Sequence, residues 1–353
     1  MHTVRKQLII SDAAPTGKAV RVAILDTGFD QDHPDLDGRV NAALSASFTS
    51  KDDLHDRQGH GTHIAGIIGG SGGASAGYLR GLAPDCELVV LKIAEGARGG
   101  EANTIAAVEA AIAANVDVIN YSQGYVPDVG QAPWIWPTKQ SLVEEAFAMA
   151  AGKGILCVVA AGNEGPFQGS ITRPGGLDCV LTVGAVDILG VVQERSSRGP
   201  YRQSPTTHSV RRFDPFLDRD VIPSRKPDIV APGTVTAPRS VSWTLPDPEK
   251  LELVDPHYVQ MSGSSQATAV ISGLAAMLLS VVKEQAIDLG PDRARTLRRI
   301  FVHAASALQN AETEDMGAGL VLWPKLLAIF EDFARDSQFR QVVLTDAALR
   351  LMD

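Results

Sequence analysis

Short apolar runs alternate with helix-like stretches from Val20 to about Val230, and this alternation constrains the fold more than any other feature of the sequence. Each run is continuously apolar rather than alternately polar and apolar, which is typical of strands that are covered on both faces. The runs lie at Val20–Leu25, Glu87–Ile93, Val116–Tyr121, Gly154–Ala161, Cys179–Val186 and Pro227–Gly233. The pattern therefore predicts a set of buried strands.

Helical patterns fill several of the intervals between these runs. They lie at His60–Ile68, Thr104–Asn115 and Ser141–Lys153. Thr104 and Ser141 are suited to cap the helices that begin there. Gly152 or Gly154 can end the third helix. Because strands and helices succeed one another in this order, the sequence predicts a largely parallel sheet with right-handed crossovers.

The second part of the chain is predominantly helical. A long apolar helix, ATAVISGLAAMLLSVVKE, is predicted directly after Ser265, and amphipathic helices follow at Asp292–Ala305 and Leu322–Phe333. The expected fold class is therefore α/β, with three layers in which helices flank a largely parallel sheet.

We expect one main domain over residues 20–335, with an N-terminal arm over residues 1–19 and a C-terminal tail over residues 336–353. Two segments rich in proline and charge interrupt the pattern of the core, and we expect them to be surface insertions. They lie at Val126–Gln140 and Tyr201–Lys226.

Composition excludes several classes of function. Of the 353 residues, 44% are apolar and 21% charged, as in an ordinary soluble globular protein. A formal net charge of −9 argues against nucleic acid as a partner, because phosphate-binding surfaces need clustered Lys and Arg. An uninterrupted run of 18 or more apolar residues is not found, and Leu8–Ile10 is too short for a secretory signal.

The number and position of the cysteines argue against disulfide bonds. Cys86, Cys157 and Cys179 are odd in number and lie in apolar runs, which favours small buried hydrophobic residues over a disulfide framework. Together these features predict a cytoplasmic protein with no membrane partner.

Four polar residues stand at strand ends or helix starts, where functional groups gather in an open parallel sheet. Asp26 follows the run VAIL and Asn163 follows VVAAG, while His60 and Ser265 each open a helix. A serine hydroxyl needs a base to remove its proton, and histidine has a suitable pKa. A buried carboxylate can then orient the imidazole. The four residues therefore predict nucleophilic catalysis.

The segments around these residues resemble the four signature segments of the subtilisin family, in its order Asp-His-Asn-Ser. They read VAILDTGFDQDHPDL, GHGTHIAG, VVAAGNEG and SGSSQATA, and the resemblance extends over about Val20–Leu327. It implies a serine endopeptidase that works through an acyl-enzyme without a cofactor. It also implies that Asp26 orients the base His60, that Ser265 is the nucleophile, and that Asn163 donates to the oxyanion.

Alternative interpretations exist for each residue. Asp26 and Asn163 could be turn residues, and His60 with His63 could suggest a metal pair, although neither an HExxH pattern nor a third ligand accompanies them. Ser262 and Ser264 also compete with Ser265. The resemblance selects Ser265, with Ser264 standing where the family has Thr. Gln266 stands where the family usually has Met, which we expect to alter the leaving-group side.

The resemblance also implies a protein or peptide substrate, bound as an added strand. Ser122, Gln123 and Gly124 are expected to form one wall of the main specificity pocket, with Gly162 in another and Gly100 in a facing segment. The alternative for Gly100 is a simple loop glycine. Trp134 and Trp136 are expected to anchor their own loop rather than to bind substrate.

Many family members hold calcium through an Asp in a segment like DHPDL, here Asp35, and a loop after the histidine helix. The corresponding loop GGSGGASAGYL lacks the usual Asn, and a single carboxylate is a small ligand set, so a structural calcium ion stays an open alternative.

The arm of residues 1–19 is too short for a folded inhibitory prodomain, which fits intracellular relatives. We expect regulation through that arm lying in the cleft, or through a partner at the tail. Two rival functions remain open: a dedicated processing protease for one peptide or partner precursor, and a catalytically silent relative that binds peptides.

Overall fold

The structure is a computed structural model that describes residues 1–95, 99–125, 141–199, 212–214, 219–221, 226–242 and 252–345. Its helices are α1 (His2–Gln7), α2 (His60–Gly69), α3 (Glu101–Ala113), α4 (Leu142–Gly152), α5 (Ser264–Glu284), α6 (Arg293–Ala304), α7 (Thr313–Met316), α8 (Trp323–Arg335) and α9 (Ser337–Thr345). Its strands are β1 (Arg21–Asp26), β2 (Ala46–Ser47), β3 (Glu87–Lys92), β4 (Val118–Tyr121), β5 (Leu156–Ala160), β6 (Leu181–Val186), β7 (Arg212–Asp214), β8 (Arg219–Val221), β9 (Ile229–Pro232), β10 (Thr234–Pro238), β11 (Glu252–Leu253), β12 (Tyr258–Ser262), β13 (Ala305–Ser306) and β14 (Leu320–Val321).

A nine-stranded sheet forms the centre of the molecule, in the order β13-β14-β9-β6-β5-β4-β1-β3-β2. Its strands pair in parallel except for β13 and β14, which are antiparallel. All six apolar runs of the sequence become strands of this sheet, namely β1, β3, β4, β5, β6 and β9. The predicted parallel α/β fold is confirmed.

Side chains on the two faces of the sheet enter two separate hydrophobic cores. In β1, Val22 and Ile24 face the core that contains α2, α5, α6 and α8. Ala23 and Leu25 face the other core, which α3 and α4 cover. Because successive strand residues point to opposite faces, each buried strand is largely apolar rather than alternately polar and apolar. The predicted three-layer arrangement is confirmed.

The long helix α5 is the centre of the larger core. It is long and apolar enough to cross a membrane, but 94% of its most apolar window is buried inside the protein. It packs against α2, β4, β5, β6 and β9. Its burial explains why this helix is apolar almost all round.

Two expected helix starts have different outcomes. Ser141 caps α4 as predicted, because its side chain accepts from the backbone N–H of Glu144 and the Glu144 side chain accepts from Ser141 N. Thr104 was the wrong cap for α3, which begins one turn earlier behind Gly100. The Thr104 hydroxyl instead donates back to Gly100 O over 3.1 Å, as Ser and Thr within a helix often do.

Both ends of the described chain pack against the body of the protein. Met1, Val4 and Leu8 are buried, and the amino group of Met1 donates to Thr236 O in β10 over 2.8 Å. At the other end, α9 packs on α8 and α6, with Val343 buried. The division into arm, domain and tail, and control of the cleft by the arm, stay predictions.

A second sheet was not predicted from the sequence. In it β12 pairs antiparallel with β10 and with β11. The expected insertion at 126–140, with Trp134 and Trp136, lies outside the described residues, and so does most of 201–226 apart from the strand pair β7 and β8. The three cysteines are unpaired; Cys86 and Cys157 are buried and Cys179 is half-buried.

Candidate active site

Asp26 and His60 meet where β1 ends and α2 begins. The carboxylate is fully buried, and its Oδ1 lies 2.7 Å from His60 Nδ1. The backbone N–H of Thr27 donates to the same oxygen over 2.8 Å. The predicted pairing is therefore present, and its geometry can hold the imidazole with Nε2 directed away from Asp26.

The environment of His60 has opposing effects on its pKa. Burial lowers the pKa, but the negative charges of Asp26 and Asp56 and the hydrogen bond to Asp26 raise it by more. The pKa of His60 therefore lies above its usual value. This direction suits a base that must hold a proton after it has taken one.

Gly61 allows α2 to approach the turn that follows β1. A Cβ atom at Gly61 would lie 2.1 Å from Gly28 O, which is closer than any side chain could tolerate. Gly59, the residue before the helix, has a φ of 81°. Glycine at position 61 therefore permits the close approach of these two segments.

Ser265 is the second residue of α5 and is 8% exposed. Its Oγ donates to Ser122 O over 2.9 Å, while Ser122 Oγ donates to Ser265 O over 3.1 Å. Within the described part of the chain, Ser265 Oγ makes no other hydrogen bond. A turn of the side chain away from Ser122 O is thus required before it can donate to His60.

The two competing serines have other contacts. Ser262 is exposed, and its hydroxyl lies 3.0 Å from that of Thr234. Ser264 is fully buried, and its Oγ donates to Asn163 Oδ1 over 3.1 Å. Ser264 is thus fixed on the candidate oxyanion donor, which favours Ser265 as the nucleophile.

Asn163 is oriented by the start of α5. Its Oδ1 accepts from both the backbone N–H and the hydroxyl of Ser264, at 3.0 and 3.1 Å. This leaves the amide Nδ2 available as a donor. The N–H of Ser265 lies in the first turn of the helix and has no acceptor within it. Two donors of the kind that stabilise an oxyanion therefore lie at this helix start.

Gly263 comes directly before α5 and lies beside the Asn163 amide, and this position requires glycine. Its φ of 156° and ψ of 177° are favourable for glycine alone. A Cβ at this position would also lie 3.1 Å from Asn163 Oδ1. A larger residue would therefore displace the amide that Ser264 holds.

The expected substrate-binding segments lie beside each other. Gln123 Oε1 accepts from Gly99 N over 2.9 Å, so it joins the segment of Ser122 and Gly124 to the segment that contains Gly100. The contact brings the two predicted walls together. Gly100 also precedes α3, so its structural role as a helix-start residue is clear.

Thr172 is a neighbour that the sequence did not indicate. A Cβ at Gly124 would lie 2.1 Å from Thr172 Oγ1, and a Cβ at Gly162 would lie 2.6 Å from Thr172 Cγ2. Both glycines therefore allow their segments to pack on this side chain. No motif around Thr172 signals this contact, because it joins residues distant in the chain.

A cavity of about 730 Å³ opens beside Asn163 and Gly263. Met261, Gln260 and Glu194 contribute to its lining. Gln266 is buried, and its Nε2 lies 3.8 Å from Sδ of Met261, one of the residues that line this cavity.

The residues around Asp35 do not fit a calcium ion. Asp35 is fully buried, and both of its oxygens lie 2.9 Å from the hydroxyl of Tyr258. Ala74 in the following glycine loop directs its N–H, rather than a carbonyl, at Asp35 Oδ1. Calcium takes six to eight oxygen ligands, whereas among the described residues no group of three or more His, Cys, Asp or Glu is placed to hold a metal.

His63, the other member of the suggested metal pair, faces the second sheet. It is buried, with Nε2 3.2 Å from Val259 O. Burial, together with the charge of His60, lowers its pKa to about 3, so it is neutral at working pH.

Comparison with known proteins finds a matching family model and similar curated proteins. The model of the subtilase family matches residues 17–319. The serine protease AprX of Bacillus subtilis (strain 168) is 32% identical over 332 residues, which cover 90% of this chain and 68% of AprX. The major intracellular serine protease of the same organism is 29% identical over 278 residues, covering 76% of this chain and 70% of that protein.

Solved structures show the same fold. The prenylagaramide maturation protease PagA superposes with a TM-score of 0.65 at 22% identity, covering 92% of this chain and 98% of PagA. A psychrophilic protease superposes with a TM-score of 0.65 at 26% identity, covering 90% of this chain and 96% of that structure.

Proposed function

Because the chain belongs to the subtilase family and is a serine endopeptidase, we propose that it hydrolyses peptide bonds through an acyl-enzyme formed on Ser265. His60 is the general base and Asp26 orients it. The observation that carries this proposal is the 2.7 Å contact between Asp26 Oδ1 and His60 Nδ1, at the same edge of the sheet as Ser265 and Asn163.

In the first step Ser265 Oγ attacks the carbonyl carbon of the peptide bond, and His60 Nε2 accepts the hydroxyl proton. Asp26 holds Nδ1, which fixes the tautomer and stabilises the imidazolium. Collapse of the tetrahedral intermediate breaks the C–N bond, and the imidazolium returns its proton to the leaving amine. Water then attacks the carbonyl carbon of the acyl-enzyme while His60 accepts its proton. The ester C–O bond breaks, the proton passes to Ser265 Oγ, and the carboxylic acid product leaves.

Charge on the carbonyl oxygen is stabilised by two donors, Asn163 Nδ2 and the backbone N–H of Ser265. Both are positioned before the reaction, because Ser264 holds Asn163 Oδ1 and α5 holds the backbone of Ser265. Preorganised donors in a site shielded from water stabilise the transition state more than water does. No cofactor takes part.

Substrate would lie between the segment Ser122–Gly124 and the segment at Gly100, which Gln123 joins. Gly162 would border the same cleft. An extended peptide added at such segments gains main-chain hydrogen bonds that do not depend on its sequence. This mode supports an endopeptidase acting on protein or peptide chains.

The experiment is digestion of casein and of a mixture of internally quenched peptides by wild type and by Ser265→Ala. The proposal predicts cleavage of many peptides by wild type and none by the variant. Cleavage confined to one or a few peptides, still dependent on Ser265, would favour a dedicated processing protease. Unchanged cleavage by Ser265→Ala would refute the assigned nucleophile. Cytoplasmic location and a regulatory partner at either end of the chain stay predictions.

A further inference from the structure

Asp56 is a fully buried carboxylate in the loop before α2 that the proposed mechanism does not use. It accepts hydrogen bonds from the hydroxyl of Thr27 and the backbone N–H groups of Gln58 and Gly59 on Oδ1, and from the N–H and hydroxyl of Thr62 on Oδ2. The distances lie between 2.6 and 2.9 Å. None of the ion pairs among the described residues involves Asp56.

The directions of these bonds fit a carboxylate that accepts on both of its oxygens. Thr27 Oγ1 accepts from the N–H of Gly61 over 2.9 Å, and Thr62 Oγ1 accepts from the N–H of Asp30 over 3.0 Å. Both hydroxyl protons are therefore free to point at Asp56. Five donors thus converge on the two oxygens of Asp56, an arrangement that fits a carboxylate, which accepts on both oxygens.

Asp56 connects the two elements that carry Asp26 and His60. Through Gly59 and Thr62 it binds the first turn of α2, where the positive end of the helix dipole favours an anion. Through Thr27 it binds the residue that follows Asp26, whose own N–H donates to Asp26 Oδ1. One side chain thus fixes the end of β1 relative to the start of α2.

We propose that Asp56 is a positioning residue for the proposed reaction, which holds His60 at its distance from Asp26 and supplies a second buried negative charge beside the imidazole. The inference rests on the proposed function of His60. Three titratable groups act on the imidazole: Asp26 from β1, Asp56 from the loop before α2, and His63 one turn further along α2. Asp26 and Asp56 both favour the protonated imidazole, whereas a charged His63 would disfavour it.

The test is Asp56→Asn, which keeps the shape but removes the charge. Whichever way the amide turns, its NH₂ faces donors, either those of Thr62 or those of Thr27 and Gly59. We expect kcat to fall about 10- to 100-fold, the range that a displacement of order 1 Å at a reacting group produces, with little change in KM. The acidic limb of kcat/KM should move to lower pH, because His60 loses a charge that favours its protonated form.

Asp53→Asn is the matched control. It makes the same change three positions earlier, but the Asp53 side chain is 39% exposed and binds Arg57 and Lys92 rather than α2. Its kcat should stay within about twofold of wild type, since the pair with Arg57 is solvent-exposed and the buried Lys92 keeps its 2.7 Å contact with Glu95. Folded Asp56→Asn protein with the kcat and pH profile of wild type would overturn the inference, whatever its melting temperature.

If Asp56→Asn does not fold, a comparison of Thr62→Val with Thr62→Ser tests the same inference. Valine removes a hydroxyl donor to Asp56 and should lower kcat a few-fold. Serine keeps the donor, so Thr62→Ser should retain most of the wild-type kcat. Equal kcat in the two variants would overturn the inference. Failure of the proposed function itself would look different, because wild type would then lack turnover that depends on Ser265.

Discussion

The hydrogen bonds of Ser264 give a sharp test of how the oxyanion donor is held. Ser264 Oγ donates to Asn163 Oδ1 over 3.1 Å and accepts from the N–H of Gly162 over 3.2 Å, and the residue is fully buried. Ser264→Ala removes both bonds but leaves the Ser264 N–H, which donates to the same Asn163 oxygen over 3.0 Å. The amide should therefore be loosened rather than lost.

The expected effect on catalysis follows from one lost bond. A hydrogen bond between neutral groups contributes about 0.5–1.5 kcal/mol, which corresponds to roughly a 2- to 10-fold decrease in kcat. The effect on stability follows from the N–H of Gly162, which is left buried without a partner at about 1–3 kcal/mol. With an unfolding entropy of about 2.1 cal/mol/K per residue, that range lowers Tm by roughly 1–4 °C.

The assay is steady-state hydrolysis of a chromogenic peptide, with calorimetry on the same samples. Ser264→Thr is the matched control, since it keeps the hydroxyl, and it should retain most of the wild-type kcat. The reasoning would be refuted if Ser264→Ala kept the wild-type kcat, because Asn163 would then be held without this bond. A loss above 100-fold would equally refute it, since the remaining N–H bond would then be irrelevant.

Three further predictions concern other parts of the site and the core. Asn163→Ala should lower kcat with little change in KM. The expected decrease of about 10²- to 10³-fold in kcat is the value measured in subtilisin, a member of the same family. In a pH profile, kcat/KM should fall as the pH drops through the pKa of His60, because only the neutral imidazole is a base. That pKa should lie above the usual 6.5 of histidine, since the charges of Asp26 and Asp56 outweigh the effect of burial. Asp228→Ala should lower Tm by roughly 4–7 °C, since it leaves the buried cations of Lys226 and Arg298 without their shared carboxylate at about 3–5 kcal/mol. Calorimetry that found no change would show that these two ion pairs of Asp228 do not contribute to stability.

Much of the central sheet could be predicted because its signal is local. A strand that is covered on both faces is apolar at most positions, and the six runs of the sequence have that property. The second sheet could not be predicted in this way. Its strands β10 and β12 are short and partly polar, and they pair across an interval of about twenty residues.

Helix starts depend on contacts that a sequence shows only in part. Ser141 with Glu144 three positions later forms a capping box, a pattern that specifies both partners. Thr104 has no such partner, and the negative charge of Glu101 near the positive end of the helix dipole favours the earlier start. The helix therefore extends one turn further than the apolar pattern indicates.

The pairing of Asp26 with His60 was implied by the resemblance of their segments to the subtilisin family, and the two side chains lie 2.7 Å apart. The residues that hold this pair could not be predicted. Asp56 stands in a polar loop that gives no sign of burial, and its partners Thr27 and Thr62 belong to two different elements. Such contacts become visible only when the elements are packed together.

The most direct test of the central claim is labelling of the folded protein with a fluorophosphonate probe, followed by mass spectrometry of the labelled peptide. The account predicts a single adduct on Ser265 that is absent from Ser265→Ala. It also predicts slower labelling in His60→Ala, because the hydroxyl then lacks its base. An adduct on Ser264 or Ser262, or labelling that persists in Ser265→Ala, would contradict the account.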